Sequence, residues 1–350
     1  MNGRGRAILI LGMHRSGTSA LTRVLGLCGA ALPRHVIEAS PEVNAKGFWE
    51  PKEIVALHDE ILASARRSWH DLRDVPAAWF DSAEAAAFQS RLRALLLDDY
   101  GSAPLIAVKD PRLCRLLPLW RPVLAGLRIA PLAVVPVRNP LEIAASIGAR
   151  EGYAEGKSLL LWLLHFLAAE HHSRDLPRCF VSYTGLLADW PGTVRRIGAA
   201  LSIEWPGPIQ PDEIDRFLAP SLRHHRADDE ALFARDDIPR QITTAYRWAL
   251  SAAAGAVPSP IELDAIREEI ARAEPVFSLA VEAIEDYAQR RTDDLRHWVE
   301  VADERYAMIV QLQSTVAALQ AQLNAQSAPP PDPAGVMGPA HTAFHVPSGS

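Results

Sequence analysis

The stretch AILILGMHRSGTS, residues 7–19, decides how the chain is read. Ala7 to Leu11 form an apolar run that suits a buried strand, and a glycine-bounded loop follows at once. Gly12 and Gly17 keep the spacing of the nucleoside-triphosphate loop G-x-x-x-x-G-K-[ST], with Thr18 and Ser19 directly behind. The lysine position holds the Thr18 hydroxyl, and the cation sits at Arg15 instead. Two glycines allow a tight backbone in which successive N–H groups converge on an anion at the start of a helix. That helix is predicted over Ser16 to Leu27, because Leu21, Val24, Leu25 and Cys28 fall on one face. A plain strand–turn–helix corner with chance glycines is the alternative. The apolar lead-in and the amphipathic helix weigh against it.

Composition narrows the field. The chain has 350 residues, 49% of them hydrophobic and 22% charged, the balance of a globular protein with room for a large core. Thirty-six basic against 42 acidic residues leave a net charge of −6, so no nucleic-acid surface is indicated and anion binding must rest on a local basic pocket. Cys28, Cys114 and Cys179 each lie in apolar stretches, at neither metal nor disulfide spacings, which suits buried thiols in a reducing compartment. The N-terminus enters the glycine loop without a signal-type apolar region, and the longest apolar run, 159–169, is too short to span a bilayer. A cytoplasmic protein without a transmembrane segment is expected.

Strands are predicted at Ala7–Leu11, Leu105–Val108, Leu132–Val137 and Cys179–Tyr183. Helical stretches between them cover Pro51–Arg66, Ser82–Asp99, Leu141–Ile147, Ser158–Ser173 and Thr193–Leu201. Alternation of this kind predicts an α/β fold, a P-loop-like three-layer α/β/α sandwich around a central parallel sheet. Ligands of such sheets collect at the carboxyl ends of the strands, where Arg15, Lys109, Asp110 and Arg138 stand. Farther on, Leu295, Ala302, Ile309, Val316 and Leu323 occupy one heptad position and Trp298, Arg305, Leu312 and Leu319 the other, with Arg305 interrupting the seam. A coiled coil that joins copies of the chain through 295–323, or an amphipathic helix packed on its own domain, would each explain the pattern.

A second motif, VVPVRNPLEIAASI at 134–147, places Arg138 at the end of a buried strand, a turn at Asn139-Pro140, and Ser146 two turns into the next helix. Arginine and serine there can clasp a second phosphate. Together, Arg15-Ser16-Gly17-Thr18 and Arg138-x7-Ser146 resemble the two nucleotide-binding signatures of the sulfotransferases, which use 3′-phosphoadenosine 5′-phosphosulfate (PAPS). The resemblance implies that Arg15, Ser16, Gly17, Thr18 and Ser19 bind the 5′-phosphosulfate and that Arg138 and Ser146 bind the 3′-phosphate. Arg15 departs from the lysine of the cytosolic small-molecule enzymes and is more similar to the bacterial and carbohydrate branches. VSYTGLLADW at 181–190 is similar to a family segment whose tyrosine lies near the adenine, implying Tyr183, although Thr184-Gly185 replace the usual acidic pair. VKDPRL at 108–113 resembles a turn beside the sulfuryl group. The likeness covers about residues 7–205. It divides the chain into a sulfotransferase-like domain over 1–290, a coiled-coil helix over 291–325 and a disordered tail over 326–350.

Sulfuryl transfer needs a group that takes the hydroxyl proton and cations that stabilise the departing phosphate oxygen. By resemblance to carbohydrate sulfotransferases, whose catalytic glutamate follows the first helix, that base is Glu50; a charge capping the helix after Pro51 is the competing reading. His58 is the next candidate. Lys109 is expected at the sulfuryl group or the bridging oxygen, unless Asp110 neutralises it, and Arg112 at its side. No metal is expected: Glu170-His171-His172 and His224-His225 with Asp228-Asp229 form no closed ligand set. Arg223 and Arg226 are candidates to close over the nucleotide. The acceptor is expected to be a hydroxyl compound, a carbohydrate or glycolipid, with Phe48, Trp49, Trp69, Trp79 and Phe80 suited to sugar stacking or to core packing alike. Rival readings are a P-loop nucleotide kinase or triphosphatase and a non-catalytic coiled-coil assembly protein.

Overall fold

The computed structural model describes residues 5–38, 47–207, 209–218 and 227–326. Four strands, β1 (Gly5–Ile10), β2 (Leu105–Lys109), β3 (Ile129–Val137) and β4 (Arg178–Ser182), form one sheet in the order β2-β1-β3-β4. Every pairing is parallel, with Ile8 opposite Ala107 on one side and Leu132 on the other. Parallel strands require crossovers, and helices supply them on both faces. These are α1 (Thr18–Leu27), α2 (Lys52–Ser64), α3 (Ala83–Tyr100), α4 (Leu113–Gly126), α5 (Pro140–Glu151), α6 (Glu155–His172), α7 (Tyr183–Ala188) and α8 (Trp190–Leu201). Beyond them lie α9 (Pro211–Phe217), α10 (Asp229–Phe233), α11 (Arg240–Ala253) and α12 (Ile261–Gln326). The expected three-layer α/β class is thus the observed one.

Two cores follow from the period of the strands. Ala7, Leu9 and Leu11 point with Val108, Val135 and Val137 toward α2, α4, α6 and α11, while Ile8, Ile10, Ala107 and Val134 point toward α1 and α8. Near-continuous burial on both faces is why these strands read as unbroken apolar runs rather than alternating ones.

Several boundaries differ from the sequence reading. α1 starts at Thr18, two residues late, because Arg15 (φ 69°) and Gly17 (φ 86°) hold the loop in left-handed conformations. β4 ends at Ser182 rather than Tyr183, since the Ser182 hydroxyl accepts from the Gly185 N–H and caps α7. α4 was not predicted at all. Pro118 and Pro122 lie inside it, each costing roughly 3 kcal/mol in a helix interior. Burial of Leu113, Leu116, Leu117, Trp120 and Leu124 offsets that cost. Residues to Pro275 form one compact unit and those from Val276 a second. α12 spans this division without a break, so the expected 290/291 boundary falls inside a helix. The tail from 327, Arg223, Arg226 and the His224-His225 pair lie outside the described residues.

Candidate active site

The glycine loop is shaped by what approaches it. A Cβ on Gly12 would meet the Pro136 ring of β3 at 2.8 Å and the Thr18 methyl at 3.0 Å, so the first glycine lets β1 and β3 close up. A Cβ on Gly17 would lie 2.2 Å from the Tyr183 ring. Gly17 is also the N-cap of α1, with no side-chain cap and no acidic residue in the first turn. The first N–H groups of α1 therefore face the loop without a capping side chain, the arrangement that favours an anion.

The second signature docks directly on the first. Arg138 donates from Nη1 to the Arg15 carbonyl at 2.8 Å and lies 4.7 Å over the Tyr183 ring, while Arg15 Nε donates to Ser146 Oγ at 2.6 Å. Arg15, Gly17, Arg138, Ser146 and Tyr183, predicted from three separated segments, thus form one constellation. Burial, then the charges of Arg150 and Arg138, lower the Arg15 pKa, which marks a field favourable to an anion. Sequence reading missed Glu142. Four residues beyond Arg138 on α5, it accepts from Arg138 Nε at 2.9 Å and from the Ala227 N–H at 3.0 Å. The i,i+4 spacing was the available signal. Arg138, Asn139, Glu142, Thr184, Asp228 and Tyr246 are among the residues lining a cavity of about 380 Å³ beside β3 and β4.

Lys109 and Glu50 form a buried ion pair. The same ammonium donates to Ser19 Oγ at 3.2 Å and the Phe48 carbonyl at 3.3 Å, tying the pair to the glycine loop. Glu50 does not cap α2: Pro51 holds that position, and the carboxylate is turned to Lys109 instead. Burial raises the Glu50 pKa above its ordinary value, with Lys109 opposing.

Nor does Asp110 neutralise Lys109. It accepts from Arg112 at 3.1 Å and pairs with His58 Nδ1 at 2.7 Å. Trp120 Nε1 donates to His58 Nε2 at 2.8 Å, so His58 is a neutral imidazole with its proton on Nδ1. Burial pushes the Asp110 pKa up, but Arg112 and His58 outweigh it and hold the carboxyl well below the usual range. Both His58 nitrogens are committed to protein partners. Arg112 forks onto Asp59 at 2.6 and 2.9 Å.

Of the aromatic candidates, Trp79 and Phe80 pack with Phe88 against the core, and Trp49 takes Arg23 over its ring at 4.7 Å. Trp69 meets the loop, its ring 4.5 Å from His14. Among the described residues no group of three or more His, Cys, Asp or Glu side chains is placed to hold a metal, and Glu170 is engaged by Arg174 and Arg178. Nor, among them, is any helix long and apolar enough to cross a membrane.

A glycine loop with its cation at Arg15 is joined to Arg138, after the neighbouring strand, and to Ser146, on the helix that follows, and comparison with known families places the chain. The family model of the sulfotransferases matches residues 7–207, and the chain belongs to the sulfotransferase family. Among solved structures, the sulfotransferase domain from the curacin biosynthetic pathway is similar at 14% identity and a TM-score of 0.39, covering 73% of this chain and 99% of that domain. A search of curated proteins finds no match.

Two substitutions test this geometry by urea unfolding. Gly17→Ala is expected to cost about 1–3 kcal/mol, from left-handed strain and displacement of Tyr183; unchanged stability would mean that the ring moves aside freely. Trp120→Phe removes the donor to His58 Nε2 and is expected to cost about 1–3 kcal/mol, more than its lost area explains.

Proposed function

We propose that the chain transfers the sulfuryl group of PAPS to the hydroxyl of an acceptor, a carbohydrate or glycolipid, releasing adenosine 3′,5′-bisphosphate. One observation carries this reading: Arg138 and Ser146 of the second signature are bonded to Arg15 of the first. A donor with phosphates at both the 5′ and 3′ positions needs two neighbouring anion sites on one scaffold, whereas a triphosphate needs a single continuous cradle. Asp110, the sole magnesium-type carboxylate after an apolar strand, is committed to His58 and Arg112, which speaks against a kinase or triphosphatase.

In this reading the α1 N-terminus, Ser16, Gly17, Thr18, Ser19 and Arg15 hold the 5′-phosphosulfate. Arg138 and Ser146 hold the 3′-phosphate, with Tyr183 beside the adenine. Glu50 takes the acceptor's hydroxyl proton as the oxygen forms its bond to sulfur. The bond from sulfur to the bridging oxygen breaks, its electron pair stays on the phosphate, and Arg15 and Lys109 stabilise that charge. Lys109 couples the two events. Its ammonium bridges Glu50 and Ser19, so a turn toward the bridging oxygen withdraws the counter-charge from Glu50 and strengthens it as a base just as the proton must leave.

Isothermal titration with adenosine 3′,5′-bisphosphate tests donor binding. Arg138→Ala is expected to weaken it at least tenfold, the loss of about 1.5–3 kcal/mol for a charged hydrogen bond. Absence of binding by the unsubstituted chain, or unchanged affinity in the variant, overturns the proposal. With radiolabelled PAPS and a panel of sugar, lipid and phenol acceptors, Glu50→Gln should lower kcat by about 10²–10⁴-fold. Because burial raises its pKa and the base must be ionised, kcat/KM should fall with decreasing pH through a pKa above the ordinary glutamate value. That acid limb should vanish in Glu50→Gln.

A further inference from the structure

Helix α12 carries a longer heptad seam than the one visible from Leu295 onward. Val281 and Ala288 continue the Leu295 position toward the N-terminus, and Phe277, Ile284 and Arg291 continue the Trp298 position. Ile284, Leu295, Trp298, Ile309, Leu312, Val316, Leu319 and Leu323 are all exposed, Leu295 by 65% and Trp298 by 62%. An apolar seam repeating every 3.5 residues over this length is the signature of helix pairing.

We infer that this seam pairs with a second copy of the same chain, antiparallel, about a two-fold axis at residue 300. Charge and size select that arrangement. A parallel, in-register pair would set Arg291 against Arg291 and Arg305 against Arg305 in the seam, with only Thr292 and Tyr306 flanking them. In the antiparallel register, Arg305 of one copy packs against Leu295 of the other, whose neighbour Asp294 supplies the counter-charge, twice by symmetry. Shifts of one heptad either way put Val301 or Tyr287 in that place and lose it. Arg291 faces Ile309 and is kept apart from its own symmetry copy, and size agrees elsewhere: Trp298 faces Ala302, Leu312 faces Ala288, and Ile284 faces Val316. Leu319 and Leu323 meet Val281 and Phe277, so the seam overlaps along its whole length. Val299 and Val301, at flanking positions where charges are usual, each meet their own copy beside the axis.

The pairing does not depend on which donor the catalytic unit binds. Sedimentation equilibrium of the full chain at ten micromolar should give twice the chain mass; a monomer overturns the proposal, as does a larger assembly. For orientation, a spin label on Asp286→Cys, with Cys28, Cys114 and Cys179 buried, should give an inter-label distance of about 40 Å, since residue 286 then lies level with 314 of the other copy. A parallel pair would give about 20 Å or less and refute the orientation. For register, Asp294→Arg should raise the dimer dissociation constant about tenfold and the swap Asp294→Arg with Arg305→Asp should restore it. Failure of the swap to restore pairing, while the single variant weakens it, refutes the register.

Discussion

The site depends on one side chain crossing between two strand ends. Arg138 leaves β3, donates to the backbone carbonyl of Arg15 in the loop after β1, and is held from behind by Glu142. Because the acceptor is a main-chain oxygen of a residue at φ 69°, the bond sets the loop's conformation. Tyr183, under the guanidinium and against Gly17, closes the same contact from the start of α7, just past the end of β4. Three adjacent carboxyl ends are therefore tied to one another by protein contacts alone.

Charge is managed differently on the other side of the loop. Glu50 and Lys109 are both nearly excluded from water and survive there as a pair anchored through Ser19 and Phe48. Removing either partner would strand the other, so the pair is better understood as a poised arrangement than as a source of stability. Below it, the Trp120–His58–Asp110–Arg112 chain satisfies each polar atom in turn and fixes the turn that carries Lys109.

How much of this was legible in the sequence follows from the range of the interactions. Strands, glycine loop and the Arg138–Ser146 spacing could be read because each is local: an apolar run, a turn, two turns of helix. Glu142 was overlooked although its i,i+4 relation to Arg138 is equally local, because Asn139-Pro140 drew the reading to the turn. The fate of Glu50 was not legible, since its partner lies 59 positions away across the fold and the helix-capping alternative was sound on local grounds. His58 read ambiguously for the same reason, its two partners arriving from the turn after β2 and from α4. α4 was hidden by its prolines, which local propensity penalises and tertiary burial overrides.

The strand order has a consequence for how the chain is made. β1 is an interior strand, and its neighbours β2 and β3 begin far along the chain at Leu105 and Ile129. Residue 6 must wait for residue 105 on one side and 130 on the other, so the glycine loop cannot acquire its shape while the nascent chain is short. Sequence-distant pairing of this kind slows folding. Until β2 and β3 pair with it, the apolar run Ala7 to Leu11 is an uncovered strand of the kind that aggregates during folding.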